Sequence, residues 1–166
     1  MITKQNLISN LKHQNIIKKG NFLLKSGKKS NYYVDFRGVI SKPILFSHLV
    51  DYLILFLPKN INYYLCGLPY AGIPFCVAVS IKNLIPMVML RKEQKHYGTK
   101  KMIEGNICDG DEIVLIDDIL TTGSSIIESL VHFEQYKIKN VIVLLDRCQG
   151  GKQKLEKLGI NVISLF

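Results

Sequence analysis

The sequence predicts an α/β fold: a mostly parallel five-stranded sheet flanked by helices, with a small hood made by an N-terminal hairpin. Two unbroken aliphatic runs, Ile113–Ile116 and Val141–Leu145, have the composition of strands buried on both faces of a parallel sheet. Each run ends in charged residues and a glycine-containing turn. Apolar residues then return at helical spacing, as Ile126, Ile127, Leu130, Val131 and Phe133 do after the first run. With 166 residues the chain has the size of a single domain, with a hood over 1–40 and a core over 41–166.

Thr3 to Ile17 reads as a helix with Leu7, Leu11 and also Ile8 turned inward, closed by Gly20. Phe22-Leu23-Leu24 begins a strand that breaks at Lys25-Ser26-Gly27-Lys28-Lys29-Ser30. Tyr32 to Phe36 returns, so the pair is a hairpin with a basic tip. Pro43 to about Phe56 is a helix that Pro58 and Asn60 end. Tyr63 to Cys66 is a strand, and Gly67-Leu68-Pro69-Tyr70-Ala71-Gly72 turns into a helix from Ile73 to about Ile81. Ile85 to Leu90 is the next strand. The segment from Arg91 to Gly105 has hardly any apolar content, and a loop of that length inside a compact domain is usually functional. After Ile113–Ile116 come a helix to about Tyr136, the Val141–Leu145 strand, a helix from Gln149 to Leu158, and a last strand from Ile160 to Leu165.

The net charge of +9 attracts polyanions: nucleic acid, a membrane surface, or a multiply phosphorylated small molecule. Basic residues cluster at Lys25–Lys29 and at Arg91–Lys101, both in expected loops. The longer cluster has Tyr97 as its one aromatic, whereas stacking platforms for nucleic acid offer several, so nucleic acid is not the expected partner. No apolar run approaches the ~18 residues of a membrane span, and the start MITKQNLISNLK lacks a signal peptide's apolar core. No membrane contact and a cytoplasmic location are therefore expected. Cys66, Cys76, Cys108 and Cys148 form no C-x-x-C and read as buried thiols in a reducing compartment. His13, His48, His96 and His132 have no ligand spacing, so no zinc site is expected.

The chemistry concentrates in IVLIDDILTTGSS, residues 113–125. The strand is expected to stop at Asp117 and Asp118, and the turn that follows carries the hydroxyls of Thr121, Thr122, Ser124 and Ser125 around Gly123. Hydroxyls and backbone amides at a strand's carboxyl end suit a phosphate. The two carboxylates would repel one. They accept from sugar hydroxyls and supply hard oxygens to Mg²⁺, so a phosphorylated sugar satisfies both halves of the stretch. As bare residue types, the same letters also make an ordinary strand end and helix N-cap. The turn from Gly67 to Gly72 can bring amides to a second phosphate, and Arg147 at a strand end can grip a carboxylate with two parallel hydrogen bonds.

In its full order, the hydrophobic strand, acid pair, two apolar residues and T-T-G-S-S resemble the phosphoribosyl pyrophosphate (PRPP) signature of the type I phosphoribosyltransferases. FLLKSGKKSNYYVD resembles the hood segment of orotate phosphoribosyltransferases, with Val34 after the tyrosines. R-K-E-x-K-x-[HY]-G-x-x-x-x-x-E-G over 91–105 resembles the mobile catalytic loop of that family specifically, and L-L-D-R-x-Q-G-G-K-x-K-L resembles its branch in the UMP synthases. The likeness runs from about Phe22 to Ile163. It implies the type I phosphoribosyltransferase fold and a pentosyltransferase of pyrimidine (UMP) biosynthesis that converts orotate and PRPP to orotidine 5′-monophosphate and pyrophosphate.

By the same resemblance, Arg91, Lys92, Lys95, Asp117 and Asp118 are the catalytic set. PRPP contacts are implied for Lys25, Tyr70, Ala71, Arg91, Lys92, Lys95 and Tyr97, and for Asp117, Asp118, Ile119, Leu120, Thr121, Thr122, Gly123, Ser124 and Ser125. Tyr33, Val34, Thr121 and Arg147 are implied at orotate. Mg²⁺ is the implied cofactor, carried by PRPP and waters with Asp117 and Asp118 as the nearby carboxylates, and no metal is held by protein ligands alone. A homodimer is implied, with loop 91–105 and above all Lys92 shared between subunits, and an orotidylate decarboxylase is a compatible partner. Two positions depart from common members: Ala71 stands where many have lysine, and Tyr97 where bacterial enzymes have histidine. Three alternatives stay open. A purine or uracil phosphoribosyltransferase would share the PRPP signature, a PRPP-sensing nucleic-acid-binding regulator would use the +9 charge, and an inactive subunit would fit the early stop after Phe166.

Overall fold

The computed structural model describes residues 3–23, 27, 29–59, 62–93 and 101–166, and it forms two compact units, Met1–Tyr52 and Leu53–Phe166. The first unit begins with helix α1 (Lys4–His13), whose Thr3 hydroxyl accepts from the Asn6 amide as an N-cap. Leu7 and Leu11 are buried, as their spacing predicts. The helix ends four residues before the expected Ile17. Asn15 takes a left-handed conformation (φ 57°), and the amides of Asn15 and Ile16 return to the carbonyls of Lys12 and Leu11. That is a Schellman closure made by asparagine, one of the few side chains that tolerate this backbone region. Gly20 closes nothing and lies inside β1 (Ile17–Leu23), at an irregularity between Lys19 and Phe22. β1 pairs antiparallel with β2 (Lys29–Val34), so the expected hairpin forms with its first strand starting earlier. Asp35 and Phe36 leave the strand for a 3₁₀ turn over Phe36–Val39, which the Asp35 carboxylate caps by accepting from the Arg37 amide. Helix α2 (Pro43–Ile54) crosses the boundary between the units.

The second unit is built on the long aliphatic runs. Its strands are β3 (Tyr64–Gly67), β4 (Met87–Leu90), β5 (Ile103–Glu104), β6 (Glu112–Leu120), β7 (Lys137–Asp146) and β8 (Asn161–Ser164), in the sheet order β5-β4-β3-β6-β7-β8. Five of these are mutually parallel, as expected, and the two-residue β5 adds an antiparallel sixth at one edge. Helices α3 (Gly72–Asn83), α4 (Ser124–Ser129) and α5 (Gly151–Lys157) connect them. Ile113 to Ile116 and Val141 to Leu144 have no exposed surface at all. Fully burying a side chain of this kind contributes about 1.5–3 kcal/mol, so these eight residues dominate the sheet's stability.

Two elements differ from expectation in ways that matter for the site. β6 does not stop at Asp117 but continues to Leu120, because β7 is long enough to pair with it: Asp117 is in register with Val143 and Leu120 with Asp146. The helix expected to reach Tyr136 stops at Ser129, whose hydroxyl donates to the Ile126 carbonyl at 2.7 Å, and a 3₁₀ turn (Leu130–Phe133) follows. Such back-bonding competes with the α-helical pattern. Of the cysteines, Cys66 and Cys76 are buried and burial pushes both thiols up to about 12, whereas Cys108 and Cys148 are exposed. The last two sit in polar turns, where neighbouring apolar letters do not bring burial. Among the described residues, no helix is long and apolar enough to cross a membrane.

Candidate active site

The carboxyl ends of β3, β6 and β7 meet on one side of the sheet, and two close backbone approaches hold them there. After β3 the chain turns through Leu68-Pro69-Tyr70-Ala71 into α3. The Leu68 amide donates to the Ile116 carbonyl at 2.8 Å, and a side chain at Gly72 would collide with that same carbonyl and approach the Asp117 Cα at 3.3 Å. Glycine is needed at 72 because the turn lies directly on the strand that carries the acids. After β7 the Arg147 amide donates to the Leu120 carbonyl (2.9 Å) and the Gly151 amide to the Thr121 carbonyl (3.0 Å). A Cβ on Gly151 would stand 2.5 Å from that carbonyl and 2.8 Å from the Gly123 nitrogen. Gly123, at φ 77°, takes the left-handed turn that starts α4. The Thr121–Ser125 turn, Arg147 and the acid pair are thus one packed cluster.

Within it, Asp117 and Asp118 are partly buried and ordered by their own backbone. The Asp117 carboxylate accepts from the Asp118 amide at 2.9 Å, and the Asp118 carboxylate accepts from the Ile119 amide at 2.8 Å. Burial, and then the neighbouring Asp118 charge, push the Asp117 carboxyl up from its ordinary 3.8 to about 8. Carboxyl oxygens in this state suit a cation or hydroxyl donors, which would relieve both causes. Thr122 and Ser124 share a hydroxyl hydrogen bond at 3.0 Å, and Ser124 and Ser125 are exposed on the turn. In the turn after β3, the amides of Leu68, Gly72 and Ile73 are used internally, which leaves those of Tyr70 and Ala71 as its available donors among the described residues. Tyr70 is two-thirds exposed and Ala71 buried.

The foot of the Arg91–Gly105 segment adds cations. Arg91, Lys92 and Glu93, with Tyr70, Met89 and Leu90, line a cleft of about 390 Å³. The Lys92 ammonium lies 5.4 Å from the centre of the Tyr70 ring of its own chain. The Arg91 guanidinium pairs with Glu104 at 3.3 Å, a residue whose partner the sequence reading did not identify. Lys25, Lys95 and Tyr97 lie outside the described residues. Tyr33 and Val34 belong to the first unit, where the Arg37 guanidinium donates to the Tyr33 hydroxyl (3.4 Å) and to Asp35 (2.7 Å). Gln149 also escaped the sequence reading: its amide oxygen is buried in the turn after β7. Its place in L-L-D-R-x-Q-G-G-K-x-K-L, beside Arg147, was the signal that pointed there.

The raised Asp117 carboxyl has a stability signature. Between its ordinary value and about 8 the folded chain holds a proton that the unfolded chain releases, so the stability present below about pH 4 is progressively lost as pH rises towards 8. Asp117→Asn removes this dependence. Denaturation curves from pH 4.5 to 8.5 should show the variant gaining on the parent as pH rises, and a gap that stays constant would contradict the assignment.

Residues 59–161 match the phosphoribosyl transferase domain family. The chain is 35% identical to an orotate phosphoribosyltransferase of Methanocaldococcus jannaschii, over 99% of this chain and 94% of that protein. It is 38% identical to the uridine 5′-monophosphate synthase of Bos taurus over 96% of this chain, and it spans only 34% of that longer relative. Its fold superposes on the solved UMP synthase of Leishmania donovani with a TM-score of 0.88 at 30% identity, covering 99% of this chain and 36% of that one. With a mostly parallel sheet whose central strand carries an acid pair and leads into a hydroxyl turn, and with such proteins matching it over nearly its whole length, the chain belongs to the phosphoribosyl transferase family, among the orotate phosphoribosyltransferases.

Proposed function

We propose that this chain transfers the 5-phosphoribosyl group from PRPP to orotate, giving orotidine 5′-monophosphate and pyrophosphate. The observation that carries the reading is the joining, within one unit, of the β6 acid pair, the Thr121–Ser125 turn, the turn before α3 and Arg147. Asp117 and Asp118 accept from the ribose hydroxyls, while the amides and hydroxyls from Thr121 to Ser125 surround the 5′-phosphate. The Tyr70 and Ala71 amides, Arg91 and Lys92 face the pyrophosphate. Arg147 and Thr121 take the orotate carboxylate, and the roles of Tyr33, Val34, Lys25, Lys95 and Tyr97 rest on their motifs.

In the reaction the orotate ring nitrogen bonds to C1 of the ribose as the bond from C1 to the pyrophosphate oxygen breaks. Positive charge grows on the sugar and negative charge on the leaving group, which Arg91 and Lys92 stabilise. Orotate reacts with this ring nitrogen already deprotonated, its proton having gone to solvent, so no side chain needs to act as general base. Among the described residues no group of three or more His, Cys, Asp or Glu side chains could hold a metal. The hard oxygens of Asp117 and Asp118 nevertheless fit Mg²⁺ arriving with PRPP, and when bound it supplies further neutralisation of the pyrophosphate.

The reading includes a second copy of the chain, since α3 exposes Val77 and Ile81, with Leu84 exposed just past its end, as an apolar patch suited to burial against a like surface. It includes the cytoplasm, where the free Cys108 and Cys148 thiols are compatible with a reducing medium. The longer UMP synthase relatives support an orotidylate decarboxylase as a partner of this chain. To test the function, purified protein is mixed with PRPP, Mg²⁺ and each of several bases. Loss of orotate's ultraviolet absorbance, with adenine and uracil untouched, is the expected result. Consumption of another base in its place would reject the orotate reading.

A further inference from the structure

Arg91 leaves β4 at the mouth of the cleft that its side chain lines with Tyr70 and Lys92. Three contacts fix it before any ligand arrives. Its amide donates to the Met102 carbonyl (2.9 Å), its Nε donates to the Glu93 carbonyl (3.2 Å), and its terminal nitrogen meets the Glu104 carboxylate at 3.3 Å. Glu104 lies on β5, which pairs with β4 through two residues only, Met89 with Glu104 and Leu90 with Ile103. A ladder this short has little hold on a long side chain, so the guanidinium's direction is set by its two side-chain contacts, the Glu93 carbonyl at Nε and the Glu104 carboxylate at the terminal nitrogen. Both side chains of the pair are about a third exposed, and solvent therefore screens it only in part. A guanidinium has five N–H donors, and one carboxylate and one carbonyl leave others for a phosphate oxygen.

We infer that Glu104 is a positioning residue for polyphosphate: it acts through Arg91, holding the guanidinium at the cleft beside the Tyr70–Ala71 turn. The inference rests on the proposed PRPP reaction and adds to it a residue that touches no substrate. If Arg91 were free to rotate, it would have to be ordered each time pyrophosphate bound, and affinity would fall.

The test measures binding of pyrophosphate with Mg²⁺ by titration calorimetry, alongside thermal denaturation, for the parent, Glu104→Ala, Glu104→Gln, Arg91→Ala and the Arg91→Ala/Glu104→Ala double variant. Glu104→Ala should weaken binding about five- to tenfold. Glu104→Gln keeps an acceptor for the guanidinium and should recover most of the loss. In the Arg91→Ala background, Glu104→Ala should cost nothing more. Binding by Glu104→Ala as tight as the parent's, or an equal loss with and without Arg91, overturns the inference while leaving the function intact. If Glu104→Ala is unfolded, the Glu104→Gln protein decides in the same two backgrounds, with a smaller loss that must vanish without Arg91. A folded parent that binds neither pyrophosphate nor PRPP overturns both readings.

Discussion

Lys92→Ala should lower turnover at least ~10²-fold and lower the melting temperature by no more than a few degrees, roughly 2–4 °C per kcal/mol for a chain of this size. The ammonium sits 5.4 Å over the ring of Tyr70, which is itself 66% exposed, so the contact that is lost contributes only ~0.5–1 kcal/mol to the fold. In the proposed reaction the same charge stands beside a departing pyrophosphate, where negative charge is developing, so its removal should be felt mainly in the rate. Steady-state kinetics and thermal denaturation on one preparation separate the two effects. Turnover equal to the parent's would remove Lys92 from the mechanism. Mixing Lys92→Ala with Asp118→Ala protein then asks whose site the lysine serves. The ring beneath Lys92 belongs to its own chain, which supports service within that chain, whereas the sequence motif implies service across subunits. Activity regained on mixing supports sharing, and a mixture as inactive as its components supports service within one chain.

Gly72→Ala should be the most damaging change of a single methyl group in the second unit. The added carbon would collide with the Ile116 carbonyl, and its other close neighbours are the Ile116 carbonyl carbon at 3.1 Å and the Asp117 Cα at 3.3 Å, all backbone. No rotamer change can relieve a clash with a strand. Gly67 faces the same turn from the other side, where a Cβ would stand 2.5 Å from the Gly72 carbonyl, so the turn has no room to retreat. Overpacking costs ~1–3 kcal/mol when side chains can adjust, and here the upper end or more is expected. Whatever fold survives has its α3 turn pushed away from the acids, and PRPP affinity should fall with stability. Urea denaturation and PRPP binding measured together check this. A variant with parental stability and affinity would show that the approach is looser than described.

The parts of the fold legible in the sequence were those decided by local composition. Ile113–Ile116 and Val141–Leu145 are apolar at every position because both faces of each strand are covered, and a short aliphatic run has few other uses. The acid pair and the T-T-G-S-S turn were legible as a candidate site because a turn suited to phosphate stands beside two carboxylates that would repel one. What stayed hidden depends on partners far along the chain. Asp117 to Leu120 extend as strand because β7 is present alongside, and nothing in their own letters says so. The two residues of β5 sit at the end of a polar stretch and become a strand only against Met89 and Leu90. Asn15 ended α1 where Gly20 was the more obvious stop, since either residue can adopt the left-handed backbone. The ion pair between Arg91 and Glu104 joins residues thirteen apart through the β4–β5 pairing, so it could not be read before that pairing was known.

Because β6 keeps its pairing through the acid pair, Asp117 and Asp118 are presented by sheet and not by loop. In the proposed reaction, a sugar arriving there would meet carboxylates whose main-chain positions are already set by the neighbouring strand, so little backbone entropy would be lost in organising them. Recognition at the ribose would therefore be a property of the sheet itself and not of the turns around it.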